Sequence, residues 1–242
     1  MRKIILVLSS IIIFTISVYS QESSFFDAPF GGGVGYTPSW YFPNMSAVNH
    51  KLISFGTPEL SNNGFYASGE AGFIYLGFIK NFRIGGMGFS GSTSSSSIVN
   101  GTNRQVIYSL NGGGVTVEYT IPFVKNIAVS VGAVIGGGSL NIEIYNNKKN
   151  IDWNKVWNNA DNLTSNYINK NIRNNYWMVA PTLNLDIPFY RFVSFRIGVG
   201  YQFELSTKWT IDNGRELSGV PSNLNGNNFF IQTGIFIGLF SY

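Results

Sequence analysis

The chain alternates apolar and polar residues in several stretches, and the alternation is clearest over residues 175–205. Two runs with a period of two residues flank a short turn at residues 187–191. This period puts the apolar side chains of a strand on one face and the polar ones on the other, so the stretch predicts a β-hairpin. Each arm is long enough to supply the roughly 9–11 residues that a tilted strand needs to cross a bilayer.

The same alternation predicts further strands along the chain. The eight predicted strands are residues 33–42, 65–76, 83–91, 105–121, 127–144, 175–187, 194–205 and 229–242. A helical turn is expected at residues 47–53. The low-complexity stretch 92–103 is predicted to be a loop, as are residues 145–174 and 206–227.

Two strands reverse their apolar parity across a glycine triplet. The reversals fall at residues 112–114 and 136–138. A β-bulge inserts one extra residue and would explain such a reversal, so we expect a bulge at each triplet. Paired bulges also bend a sheet towards closure.

The predicted connections alternate between long and short. Outer-membrane barrels have short periplasmic turns and longer outer loops, with an even number of strands. The sequence therefore predicts an all-β fold: a closed, antiparallel, up-and-down transmembrane β-barrel of about eight strands. A secreted, soluble β-sandwich is the alternative.

Composition indicates that the protein is exported, and it excludes several kinds of site and partner. Residues 1–20 combine Arg2 and Lys3, an apolar run and a small-residue cleavage site, which is typical of a signal peptide, and residues 21–242 are expected to form a single barrel domain. No cysteine is present, which excludes disulfides and thiolate metal sites. The formal net charge is only +4, so nucleic acid is not indicated as a partner.

The end of the chain, residues 230–242, reads as a final strand that ends in aromatic residues. Together with the strand pattern from about residue 31 onwards, it resembles the small eight-stranded bacterial outer-membrane barrels, such as the OmpA membrane domain and OmpX. The resemblance implies an outer-membrane location, contact with membrane lipid and lipopolysaccharide, recognition of the last strand by the barrel insertion machinery, and a monomer. The lipid-facing set of this strand stays open between Phe236, Phe240 and Tyr242 on one parity and Ile235, Ile237 and Leu239 on the other.

Five charged residues fall on the parity that we predict to face the barrel interior. These residues are Glu70, Glu118, Asp186, Arg196 and Glu204. A charge at the bilayer midplane is costly, so we expect them to form an ion-paired network inside the barrel. A narrow conducting path is the alternative.

A second cluster lies in the third outer loop, where basic residues outnumber acidic ones. It consists of Lys148, Lys149, Trp153, Lys155 and Trp157. Such a loop could bind lipopolysaccharide phosphates or a protein partner. A solvated loop anchored by its two tryptophans is the alternative.

Signals for catalysis are weak. The glycine motif at residues 86–91 is not followed by a helix, as a dinucleotide site requires, and His50 is the only histidine. We therefore expect no catalytic, cofactor-binding or metal-binding residues, and a structural or surface-interaction role. A narrow passive channel and, more weakly, a membrane-embedded lipid A-modifying hydrolase remain alternatives.

Overall fold

The computed structural model describes residues 31–122, 127–148, 168–190, 192–205 and 208–239. Its strands and helix, in chain order, are β1 Gly32–Tyr36, β2 Ser39–Pro43, α1 Ser46–Phe55, β3 Phe65–Tyr75, β4 Phe82–Val99, β5 Thr102–Thr120, β6 Ala128–Lys148, β7 Ile168–Tyr190, β8 Val193–Glu204, β9 Lys208–Ile211, β10 Arg215–Glu216 and β11 Asn228–Leu239. Among these residues no helix is long and apolar enough to span a membrane.

The strands form a closed antiparallel ring. Each strand from β3 to β8 pairs with its neighbour in the chain, and β11 pairs with β8 on one side and with β1 and β2 on the other. β1 and β2 occupy one position in the ring and are separated at Thr37 and Pro38. Pro38 has no N–H, but its carbonyl still accepts a hydrogen bond from Thr233 N at 2.9 Å, so the ladder continues across the break. The predicted eight-stranded barrel, with the last strand closing it, is confirmed.

The expected bulges at the glycine triplets are wrong. The register between β5 and β6 runs without a shift, pairing Gly112 with Gly138, Gly113 with Gly137 and Gly114 with Gly136. The even-numbered residues of β5 face the interior on both sides of the triplet, as Leu110 and Thr116 show. The parity reversal in the sequence is therefore a change in residue chemistry and not a change in facing.

The chemistry changes along the length of the barrel, both on its outer surface and in its interior. On the outer surface of β6, Val131 and Ile135 are about half exposed, whereas Ser139 and Asn141 follow on the same face beyond the glycines. The inward residues change in the opposite sense, from Ser130 to the buried Leu140. The half of the barrel that carries the short turns is apolar outside and has a polar layer inside, as in a membrane-spanning barrel, whereas the other half has the arrangement of a water-soluble sheet.

Residues 92–103 are not a loop, which corrects the sequence prediction. β4 runs to Val99 and meets β5 through a tight turn at Asn100 and Gly101, whose φ angles are 51° and 74°. Positive φ at both central residues is typical of a type I′ hairpin turn. The serine-rich half of β4 gives no apolar alternation because its outward side chains face water. β6 and β7 also extend into the predicted loop 145–174, and β9 and β10 lie within the predicted loop 206–227.

The outer end of the barrel is filled by an apolar core under α1. The helix extends the predicted turn at 47–53 and ends at Gly56, whose φ of 78° closes the helix. Val48 and Leu52 point from α1 into a cluster of buried residues that includes Leu110, Leu140 and Met178. This core fixes α1 as a cap on the barrel.

The facing of the last strand is now settled for β11. Ile235, Ile237 and Leu239 are 56%, 64% and 62% exposed and face lipid, whereas Phe236 is buried inside the barrel. Phe240 and Tyr242 lie outside the described residues.

Candidate functional site: a charged network in the barrel interior

Two arginines and two carboxylates meet inside the barrel near the end that carries the short turns. Arg83 and Glu118 are register partners on β4 and β5, and Asp186 and Arg196 are register partners on β7 and β8. All four side chains are almost completely buried. Two cross-strand pairs from opposite parts of the ring thus face each other across the interior.

Each arginine contacts both carboxylates. Arg83 lies 2.7 Å from Glu118 (Nη2–Oε2) and 2.6 Å from Asp186 (Nη1–Oδ2). Arg196 lies 3.1 Å from Glu118 (Nη1–Oε1) and 2.6 Å from Asp186 (Nε–Oδ1). Charges of opposite sign therefore alternate around a ring with no net charge. This is the arrangement that can offset the cost of removing four charges from water.

Neutral polar groups extend the network across the interior. Ser130 Oγ lies 2.5 Å from Arg83 Nη2, and Asn184 Nδ2 donates to Glu118 Oε1 at 3.0 Å. Gln232 on β11 donates to Asn184 Oδ1 at 2.7 Å. The hydrogen-bonded layer thereby reaches from β4 to the strand that closes the barrel.

Aromatic rings cover the same arginines. The guanidinium carbon of Arg83 lies 4.7 Å from the centre of the Phe73 ring, and that of Arg196 lies 4.7 Å from the centre of the Phe236 ring. Such contacts stabilise a desolvated guanidinium. The interior space beside the network measures about 10 Å³, which is close to the minimum for one water molecule.

The structure brings together three of the five predicted interior charges, Glu118, Asp186 and Arg196. Glu204 also faces inward but lies apart at the outer end, where it accepts hydrogen bonds from Asn174 Nδ2 at 2.9 Å and from the backbone N–H of Gly226. The placement of Glu70 was wrong: its side chain is exposed on the outer surface of β3. Phe65, Ala67, Phe73 and Tyr75 show that the odd-numbered residues of β3 face inward, and Glu70 has the opposite parity.

Sequence reasoning missed Arg83. It follows a short turn, and its neighbours Phe82 and Ile84 face outward, so its parity alone indicates an interior side chain. Only this one residue indicates the facing of the strand, because the next inward position, Gly85, and the next outward position, Gly86, carry no side chain.

Most of the basic loop cluster lies outside the described residues. Lys149, Trp153, Lys155 and Trp157 lie outside the described residues. Lys148 is the last residue of β6, where it is in register with Thr102. Nearby described cations include Lys170, which forms a 2.9 Å ion pair with Asp212. The hydrogen bond from Lys170 lowers the pKa of the Asp212 carboxyl.

The outer end also contains an apolar pocket of about 380 Å³ between α1, the inner face of β5 to β7 and residues 217–224. Leu52 and Phe55 of α1 line it on one side, and Ile142 and Ile172 on the other, with Lys51 at its edge. His50 is exposed on α1, and within the described ranges no acidic side chain pairs with it.

No protein-family model and no curated protein matches the sequence. Among solved structures, the chain is similar to a major outer membrane protein from Thermus thermophilus, with 7% identity, a TM-score of 0.50 and coverage of 86% of this chain and 99% of that one.

Two further similarities are to OprG from Pseudomonas aeruginosa and Ail from Yersinia pestis. OprG has 10% identity and a TM-score of 0.46 over 89% of this chain and 98% of that one. Ail has 8% identity and a TM-score of 0.43 over 87% of this chain and 97% of that one. The similarity to the Thermus protein, the closed ring and the apolar outer belt together define the class: the architecture is that of the small outer-membrane β-barrels.

Proposed function

We propose that the protein is an integral outer-membrane barrel, exported by residues 1–20, whose interior is closed and which acts in a structural or surface-interaction role without catalysis. The observation that carries this proposal is the alternating ring formed by Arg83, Glu118, Asp186 and Arg196. Each charge of this ring is ion-paired with two neighbours of opposite sign.

The closed interior argues against the passive channel. An ion path needs a continuous column of water, whereas the space beside the network is about 10 Å³ and the apolar core under α1 lies between the network and the outer end. Opening a path would require breaking buried ion pairs, which is costly because it leaves uncompensated charges.

The outer end offers surfaces suited to interaction. A concave apolar site of about 380 Å³ with Lys51 at its edge has the size and lining of sites that bind small molecules or a partner's apolar side chains. On the outer surface, Arg173 and Lys208 line a polar groove of about 680 Å³ beside β7 and β9. This groove includes Asn175, which lies two residues along β7 from the outward-facing Trp177, and its cationic side chains suit the binding of lipopolysaccharide phosphates.

The hydrolase alternative has less support. Activation of a nucleophile or a water by His50 would need an acidic partner to orient the imidazole. The nearest hydroxyl contact is weak: Ser54 Oγ donates to the backbone carbonyl of His50 at 3.5 Å, which does not involve the ring.

Planar-bilayer recordings of the purified protein test the proposal. We expect no discrete conductance steps from the wild-type protein. The double variant Arg83→Ser with Asp186→Ser removes one charge of each sign together with side-chain volume, and should conduct at least intermittently if it folds. Regular conductance steps from the wild-type protein would overturn the closed interior and favour the channel.

A further inference from the structure

Glu70 is an acidic residue on the surface that the barrel turns to lipid. The outward residues of β3 are Tyr66, Ser68, Glu70, Gly72 and Ile74, so Glu70 stands in the middle of the row. It is in register with Tyr36, which is itself in register with the lipid-facing Ile235 of β11. Ionisable residues are rare in this position and mark functional sites, with a partner that satisfies the charge. Among the described residues, no cationic side chain forms an ion pair with Glu70.

Three hydroxyl groups lie next to Glu70 on the same face. Ser68 Oγ donates to the Tyr36 hydroxyl at 3.3 Å, and the hydroxyls of Tyr36 and Tyr66 are hydrogen-bonded to each other. Three hydroxyls supply three hydrogens, and two bonds use two of them. One tyrosine hydrogen is therefore left to donate, beside a carboxylate that accepts no hydrogen bond from the residues that the structure describes.

The surface around these groups is depressed. An open groove of about 910 Å³ runs over β1, β3 and β4, with Gly72, Gly86 and Gly88 in its floor. A Cβ added at Gly86 or Gly88 would meet no atom nearer than 3.6 or 3.9 Å, whereas one at Gly85 would lie 2.0 Å from a carbonyl oxygen. The packing of the barrel itself thus requires a glycine at 85 but not at 86 or 88. The missing side chains leave room for another surface to come close to the sheet.

We propose that this face is the interface of a homodimer, with the twofold axis parallel to the membrane normal and passing between β1 and β3. The inference rests on the proposed insertion into a membrane and departs from the monomer that the resemblance implied. Two copies inserted in the same direction keep equal depths. Tyr36 and Glu70 lie side by side on neighbouring strands, so an axis between these strands brings the hydroxyl cluster of each copy towards Glu70 of the other.

A second copy supplies a donor for the Glu70 carboxylate and an acceptor for the remaining tyrosine hydrogen at the same time. For this reason we infer that a second copy occupies the groove. The donor and the acceptor lie side by side on one face, so the face is self-complementary under a twofold axis and the contact forms twice. An acyl chain of a lipid has no hydrogen to donate to Glu70. The floor glycines allow the two sheets to approach until these hydrogen bonds form.

The absence of native cysteines gives a direct test. Ser68→Cys places a thiol in the interface, and Leu183→Cys places one on the lipid-facing surface of β7, on the opposite side of the ring, where Leu183 is 49% exposed. Membranes containing each variant are treated with a short bifunctional thiol reagent and run on gels. We expect a strong dimer band from Ser68→Cys and little from Leu183→Cys.

Second-site changes test the named contacts. Adding Glu70→Ala to Ser68→Cys removes the proposed hydrogen bonds, and adding Gly88→Leu keeps the two sheets apart. Either change should weaken the affinity of the dimer, and with it the dimer band, by about tenfold. Adding Glu70→Gln, which still accepts hydrogen bonds, should largely preserve the band. The heat-modifiable folded band of unboiled samples reports insertion separately.

The possible outcomes distinguish the membrane barrel, the dimer and the proposed interface contacts. Absence of a folded, membrane-inserted band would refute the membrane barrel itself. A folded Ser68→Cys protein that cross-links no better than Leu183→Cys would overturn the dimer, leaving lipid or another protein as the occupant of the groove. Cross-linking that survives both Glu70→Ala and Gly88→Leu would overturn the proposed interface contacts.

Discussion

The guanidinium of Arg83 and the carboxylate of Asp186 lie 2.6 Å apart inside the barrel, although 103 residues separate them in the sequence. The contact joins β4 to β7, which are not neighbours in the ring. Backbone hydrogen bonds link only adjacent strands, so this ion pair braces the barrel across its interior. The Arg196–Glu118 pair braces β8 to β5 in the same way.

Replacing Arg83 with leucine should destabilise the barrel strongly. The change leaves Glu118 and Asp186 with a single guanidinium between them, and an uncompensated buried charge costs about 3–5 kcal/mol. The measurement is the urea midpoint of the detergent-folded protein, monitored by the heat-modifiable band.

The matched control is Arg215→Leu. Arg215 also pairs with an aspartate, Asp212, at 3.0 Å, but its side chain is 68% exposed, and exposed pairs contribute about 0–1 kcal/mol. Equal midpoints for the two variants would mean that the interior network does not stabilise the barrel.

Gly136 on β6 should tolerate substitution far less well than Gly86 in the groove over β1, β3 and β4. A Cβ at Gly136 would lie 2.0 Å from the carbonyl oxygen of Gly113, so the two strands must shift. We expect Gly136→Ala to cost about 1–3 kcal/mol, the range of overpacked sites. Gly86→Ala has 3.6 Å of clearance and should change the urea midpoint little. A Gly136→Ala protein as stable as Gly86→Ala would be inconsistent with the close packing of these strands.

Single cysteines test which end of the barrel is outside. Ser96→Cys lies on the outer surface of the β4–β5 hairpin, Asn213→Cys lies in the turn after β9, and Lys80→Cys lies in the short β3–β4 turn. A membrane-impermeant thiol reagent should label the first two on intact cells and reach Lys80→Cys only after the outer membrane is opened. Ser95 would be an unsuitable site because it is buried and donates to the Pro58 carbonyl at 2.5 Å. Labelling of Lys80→Cys alone would reverse the orientation.

Period-two alternation was sufficient to predict the ring of strands and its closure. It predicts strands well where one face meets lipid and the other meets packed polar groups, as along β7 and β8. It fails along the serine-rich half of β4, because a strand held by Ser95 and Ser97 hydrogen bonds to the chain after α1 needs no apolar face.

The interior network was only partly predictable for a related reason. Parity assigns a side chain to one of two faces, and the assignment was right for Glu118, Asp186 and Arg196 because their strands have long apolar opposite faces. β3 carries Glu70 and Ser68 on one face and Gly69 and Ala71 on the other, so its pattern does not identify the lipid side. Which charges meet across the interior depends on the closure of the ring, which pairs residues more than 60 positions apart.

We expect the barrel to cross the bilayer with the half that carries the short turns and to continue beyond it as a sheet with an apolar interior. Nitroxide labels at the outward positions of β6, from Val131 and Ile135 to Ser139, Asn141 and Glu143, measure this by their accessibility to oxygen and to a water-soluble paramagnetic nickel complex. Labels at 131 and 135 should be exposed to oxygen, as in lipid, and those at 139, 141 and 143 to the nickel complex, with the change at Gly137. Uniform oxygen exposure along all five positions, or uniform exposure to the nickel complex, would contradict the claim.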